Sequence, residues 1–472
     1  MRVFAVAMLL AVFLPPRPAS AGVEVGFSEV DVTPTLEKGP VYMAGFGQNR
    51  KATRIHDPIM ARAIVLRGDT GNKATAIAIV SVDVVGLFLS NVETIRKQLP
   101  GFDYVLVSAT HNHEGPDTLG LWGPNPLLAG TDPAYMKRLE DGCVEAVRKA
   151  DTGRKRVGAT SIGTATAPEL IRDSRQPVVK HDELVAVEFS SADQPSQPLG
   201  VIVQWNCHPE VLDSKNTALT ADFIHYTVKY LKEKRNCPIV YLTGTVGGLM
   251  TTLHLSVRGE DGKELADGTF EKSQQYGTLV GKLAEKALAG KKPVTVSPLA
   301  IRTREILIPV DNHLYRLGWQ FGTLQRPLYE WAGNSTPKEF VQTKDVSKPV
   351  ALKTEVGYLD LVDLEIAVIP GEIYPELVLG KVQNPPDPGA DFPDAPIEPA
   401  IYPQMTGGKY RMIVGLGNDE IGYLIPKRQW DEKPPYCYGL KKPQYGEGNS
   451  VGPEAAPIIC ETFRDLVKGK KQ

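Results

Sequence analysis

Four short segments of the 472-residue chain carry side chains that bind divalent metals, and each follows an apolar run of strand length. Tyr104 to Ser108 leads into Ala109-Thr-His-Asn-His113, and Val201 to Trp205 into Asn206-Cys-His208. Leu364 to Ile369 leads into Pro370-Gly-Glu372, and Met412 to Val414 into a stretch that reaches Gly422-Tyr423. His111 and His113 stand at i and i+2, so on an extended backbone both point the same way. One can ligate while the other faces the same cavity. Imidazole nitrogen, carboxylate and phenolate oxygen all suit zinc. Three or four such donors, with a place left for water, would give a hydroxide nucleophile near neutral pH. Taken singly, a His-x-His pair is more often a satisfied core or surface pair, and a lone histidine or glutamate says less. The shared placement after strands is what makes the set informative, because ligand sites of α/β folds collect at strand C-terminal ends.

The elements that must position these residues are read from hydrophobic period. Strands are expected over 23–32, 61–67, 74–83, 104–108, 184–189, 199–205, 238–242, 361–369 and 411–415, with two more between 294 and 309. Helices are expected over 91–98, 132–149, 221–234, 273–289 and 457–467. The prediction is an α/β fold with mixed central β-sheets flanked by helices, in one large catalytic domain over residues 22–472. Two stretches break the rhythm, 313–349 and the proline-dense 384–403. Both are expected to be surface loops that shape a site entrance.

Residues 1–21 have the form of a bacterial signal peptide: Arg2, an apolar run from Val3 to Leu14, then Ala19-Ser20-Ala21 before the cut. A secreted or periplasmic protein is therefore expected. A net charge of −2 gives no field that would favour nucleic acid. Peripheral contact with a membrane, and the oligomeric state, stay open. The five cysteines form no Cys-x-x-Cys motif, which argues against a structural zinc knuckle. The pairing expected in an oxidising compartment is Cys437 with Cys460.

In their order along the chain, the segments resemble the catalytic domain of neutral ceramidases. His111-Asn-His-Glu-Gly-Pro116 is similar to that family's His-x-His-Ser-Gly-Pro, Asn206-Cys-His-Pro209 to its second histidine segment, and Pro370-Gly-Glu372 to its Pro-Gly-Glu. Asn418 to Tyr423 is similar to its Asn-x-x-x-x-Tyr, and Tyr445-Gly-Glu-Gly-Asn-Ser450 to a late Tyr-Glu-Gly-Ala-Ser-Thr stretch. Val30 to Pro34, Ile55-His56 and Ser81-Val-Asp83 add to the likeness. The resemblance implies Zn2+ held by His111, His208, Glu372 and Tyr423, with His113 and Arg172 facing a small-molecule or lipid substrate. Arg175 is the neighbouring alternative to Arg172. Asp83 and Asp222 are candidates to orient the ligand histidines, although such residues serve more often as caps or turn formers.

Two departures bear on the substrate. The family's Gly-Asp-Val-Ser segment, whose serine serves ceramide hydrolysis, reads Gly247-Gly-Leu-Met250 here, and methionine offers no comparable hydrogen bond. Thr251 or Thr252 would substitute only with a shifted loop. No C-terminal immunoglobulin-like domain is expected either. The leading expectation is thus a secreted zinc-dependent hydrolase of an N-acyl amide bond, acting through metal-activated water. A zinc hydrolase of a non-lipid amide or ester is the second reading, and a non-catalytic zinc-containing binding protein the third.

Overall fold

The apolar runs pair into two large sheets in the computed structural model, which describes residues 22–69 and 74–469. The leader read over residues 1–21 lies outside the described residues. The first sheet has nine strands. Its order across the sheet is Ile239–Thr243, Pro198–Trp205, Glu183–Ser191, Lys155–Thr166, Glu24–Asp31, Met60–Asp69, Ala74–Val82 and Tyr104–Ala109, with Lys292–Val294 also paired to Lys155–Thr166. Ile239–Thr243 and Pro198–Trp205 run parallel, as do Ala74–Val82 and Tyr104–Ala109; the other pairs are antiparallel. The second sheet has six strands built around Val350–Leu361, which takes Ala300–Pro309 along one edge and Leu328–Glu330 and Leu364–Val368 in succession along the other. Tyr410–Val414 adds in parallel to Leu364–Val368.

Alternation along each strand decides what each face covers. Along Met60–Asp69, Ala61, Ala63 and Val65 face the helices, while Ile64 and Leu66 enter the core shared by both sheets. Along Leu364–Val368, Leu364, Ile366 and Val368 enter that shared core from the other sheet, while Ala367 packs outward. Strands buried on both faces read as continuous apolar runs, which is why they were legible in the sequence. Helices Leu89–Lys97, Pro133–Thr152, Phe223–Arg235 and Phe270–Ala289 cover the outside of the first sheet. Ala455–Val467 covers the second. The result is a four-layer α/β/β/α sandwich with one shared core, the mixed-sheet α/β architecture expected.

Pro133–Thr152 shows how locally these elements are encoded. Asp132 caps its first turn by accepting from the Ala134 amide at 2.9 Å, Pro133 occupies the first helical position, and Tyr135, Leu139, Cys143 and Val147 form its buried stripe. The segment read as a loop at 313–349 differs from expectation. It contains a helix, His313–Gln320, none of whose residues is fully buried, so its apolar period does not mark a core stripe. No helix among the described residues is long and apolar enough to cross a membrane. All five cysteines are free, so the expected Cys437–Cys460 pairing is not formed. Cys460 packs as an apolar residue of the core beneath the second sheet.

Candidate metal centre

The four ligand-bearing segments leave the same end of the sandwich, two from each sheet. Tyr104–Ala109 delivers His111 and His113, and Pro198–Trp205 delivers His208. Leu364–Val368 delivers Glu372, and Tyr410–Val414 delivers Tyr423. Asn418, at φ 66°, ties the sheets together beside them. Its amide donates to the Val107 carbonyl at 2.7 Å, and its side-chain oxygen accepts from the Val107 amide at 2.9 Å. Glu372 and Tyr423 then pair directly in a short parallel ladder. Gly371 makes that ladder possible: at φ 77°, a Cβ there would lie 2.5 Å from the Gly422 carbonyl oxygen.

His111, His208 and Glu372 meet in space. Glu372 Oε2 lies 3.0 Å from His208 Nε2 and 3.2 Å from His111 Nε2, and the Tyr423 hydroxyl lies 3.5 Å from His208 Nε2. The other ring nitrogens fix the tautomers. His111 Nδ1 bonds the Val85 carbonyl at 2.8 Å, and His208 Nδ1 bonds the Met250 carbonyl at 2.9 Å. A carbonyl only accepts, so each Nδ1 carries a proton, and Nε2 is the nitrogen each ring turns toward the cluster. Metal-ligating histidines are oriented in this way. His111 also sits at φ 64°, a left-handed conformation that a non-glycine residue holds at a cost, and such strain concentrates at functional sites. The donor chemistry, tautomers and convergence fit a divalent metal ion.

The charges are strongly coupled. Burial would raise the Glu372 carboxyl, but His111 and His208 beside it hold it well below the usual carboxylate range. Burial would lower His111, yet Glu372 outweighs it and lifts the ring to about 9. His113 is driven well down by burial and by the two neighbouring imidazoles.

His113 completes a cluster of three imidazoles, its ring 4.8 Å from that of His111 and 5.4 Å from that of His208. Neither of its ring nitrogens has a hydrogen-bond partner among the described residues. Its backbone is held instead: Arg50 donates to the His113 carbonyl and makes a 3.1 Å ion pair with buried Glu114. Gly45, at φ 97°, makes room for the ring, since a Cβ there would lie 2.4 Å from it.

Other residues singled out in the sequence stand elsewhere. Arg172 donates to the Leu253 carbonyl at 3.1 Å and does not line the cavity beside the cluster. Arg175 is occupied by Glu447 at 2.6 Å. Asp83 pairs with Arg62 at 2.7 Å, and Asp222 caps the helix Phe223–Arg235, so neither orients a ligand histidine. The carbonyls of Val85 and Met250 do that. The Met250 side chain packs into the core, and only its backbone serves the cluster. Thr251 and Thr252 are buried and do not line the cavity.

A cavity of about 250 Å³ opens on the cluster. Phe88, Leu119, Leu324, Trp122 and Trp319 give it an apolar wall, and the exposed Tyr445 stands among its lining residues. Glu420 also lines it, and sequence reasoning missed this residue. It lies inside the quoted Asn418-to-Tyr423 segment, and an acidic residue three positions before a candidate ligand was the available signal.

The fold and this cluster together define a two-sheet α/β sandwich with a histidine–glutamate–tyrosine centre at one end. No family model matches the chain, and no curated protein matches it by sequence. Among solved structures it is similar to neutral ceramidase from Pseudomonas aeruginosa, with a TM-score of 0.69 at 14% identity over 95% of this chain and 74% of that one. It is similar also to a ceramidase complexed with C2, with a TM-score of 0.68 at 14% identity over 95% of this chain and 75% of that one. The chain thus has the neutral ceramidase fold, as the order of its motifs implied.

Proposed function

We propose that this protein is an exported, zinc-dependent hydrolase of an N-acyl amide bond, whose acyl group is apolar and short. The observation that carries the reading is the meeting of His111 Nε2, His208 Nε2 and Glu372 Oε2, with both Nδ1 atoms tied to carbonyls. His111, His208, Glu372 and Tyr423 would hold the metal. When bound, a zinc ion supplies a Lewis acid for the carbonyl oxygen and a water acidified toward neutral pH.

This chain's own residues supply the rest. Phe88, Leu119 and Leu324 exclude water from the acyl side of the cavity and bind the chain by apolar burial. At about 250 Å³ the cavity falls below the range of drug-sized ligand sites, which favours one short chain over two long ones. His113, whose Nδ1 stands 3.6 Å from Glu210 Oε2 and whose ring nitrogens make no hydrogen bond among the described residues, hydrogen-bonds the substrate oxygen or the departing nitrogen and can carry a proton between them. Arg50 and Gly45 keep that ring in place. The apolar wall favours an acyl group over a sugar amide or phosphate ester. The open cavity speaks against a closed structural centre.

The test is metal analysis of the purified protein, joined to a hydrolysis screen of N-acyl substrates of graded chain length. About one zinc per chain is expected, with hydrolysis abolished by a chelator and restored by zinc. Hydrolysis that persists in metal-free protein would reject the reading. N-terminal sequencing of the mature protein tests export, with Gly22 as the expected first residue.

A further inference from the structure

We propose that Glu420 is a further protein ligand of the metal centre, giving it a second carboxylate and a preference for harder divalent ions than one carboxylate would. The inference rests on the metal reading above. Donor atoms of His111, Glu372 and Glu420 all lie within 4.8 Å of one another. With donor bonds of about 2.0–2.2 Å, one ion brings them together through a shift of a fraction of an ångström.

Glu420 is built into its position. Its Oε1 accepts from the Gly422 amide at 2.6 Å, which leaves Oε2 to the cavity. Gly86 packs against its stem, where a Cβ would lie 2.8 Å from the Glu420 Cβ. Oε2 has no hydrogen-bond partner among the described residues, and the residue is only 7% exposed. The nearby guanidinium does not compensate it. Arg326 gives Nη2 to Asp419 at 2.7 Å and reaches only the backbone carbonyl of Glu420 with Nη1.

Two buried carboxylates therefore face one cavity beside His111, and Glu420 Oε2 has no hydrogen-bond partner there among the described residues. Such a pair is costly in a low-dielectric interior unless a cation joins it. A divalent ion at the His111–Glu372–Glu420 group supplies that cation. Two carboxylates, a phenol and two imidazoles make an oxygen-rich set. Oxygen donors move preference from zinc toward ions such as Mn2+, and five donors exceed the tetrahedral number.

The experiment is calorimetric titration of metal-free full-length protein with Zn2+ and with Mn2+, comparing wild type, Glu420→Gln and Glu420→Asp. Glu420→Gln is expected to weaken Mn2+ binding at least about tenfold and Zn2+ binding less, with the metal-free melting temperature not lowered. Glu420→Asp should fall between. Unchanged affinities in Glu420→Gln overturn the assignment of Glu420 but leave the metal reading standing. Wild type that binds neither ion overturns both. Cobalt substitution of wild type gives an answer that needs no variant: weak visible bands of five or six coordination support the proposal, and intense tetrahedral bands reject it.

Discussion

His208 Nε2 lies 3.0 Å from Glu372 Oε2, although 164 residues separate them and each hangs from a different sheet. The contact exists because the two sheets share one core and Asn418 fastens them beside it. His208→Ala removes a donor and also leaves the Met250 carbonyl without its ring partner. Metal affinity should fall by more than about 100-fold, measured by titration of metal-free protein, with hydrolysis lost in parallel. An alanine variant with full metal content and full turnover would place the centre elsewhere.

Gly45→Ala tests whether the cavity depends on His113 rather than on the metal alone. A Cβ 2.4 Å from the ring, at φ 97°, must displace the imidazole or the loop. The expected cost is about 1–3 kcal/mol by denaturant titration. Turnover should be reduced while bound metal stays unchanged. Retention of both wild-type stability and wild-type turnover would show that the ring is not held there.

Arg50 and Glu114 form an ion pair with side chains 6% and 0% exposed. Arg50→Ala strands a buried carboxylate and frees the His113 carbonyl, and should destabilise the fold by about 3–5 kcal/mol. Adding Glu114→Gln should recover part of that loss, since the stranded charge is then gone. A double variant no more stable than Arg50→Ala would assign the cost to lost packing instead, and a thermodynamic cycle decides it.

Asp57 links stability to pH. Burial pushes its carboxyl up to about 6, against hydrogen bonds from Thr220 and the Ala221 amide and the charge of His56, with Asp83 adding to the rise. A folded-state value above the unfolded one means the folded chain binds more protons in the window between them. Stability from this group is therefore present below about pH 4 and lost as pH rises to about 6, by up to about 3 kcal/mol. Asp57→Asn should flatten that part of the stability profile, followed by urea unfolding across the window. An unaltered slope would move the linkage to other buried carboxylates.

Trp122 lines the cavity and is only half-buried, so its loss should widen the pocket at modest cost to the fold. Trp122→Ala is expected to move the preferred acyl length upward in the N-acyl screen. An unchanged chain-length profile would take this wall out of substrate selection.

Most strands and helices were legible because they are encoded by neighbours a few residues apart: alternating apolar positions, a capping Asp132, a stripe at helical spacing. Lys155–Thr166 was not. It lies inside the nine-stranded sheet, yet its sequence KRVGATSIGTAT is polar and glycine-rich and much of it is exposed, so it has no apolar period to read. The helix His313–Gln320 was hidden for a related reason, having no buried stripe.

The sequence by itself determined the donor types, their placement after strands and the order that resembles neutral ceramidases. Tertiary structure alone decided which atoms meet: Nε2 rather than Nδ1 at both histidines, a methionine carbonyl as an orienting group, and Glu420 in the same cavity. The physical reason is range. Hydrophobic period and capping act over a turn or a strand, whereas the direction of a ring nitrogen depends on a carbonyl 26 or 42 positions away, delivered by the packing of two sheets.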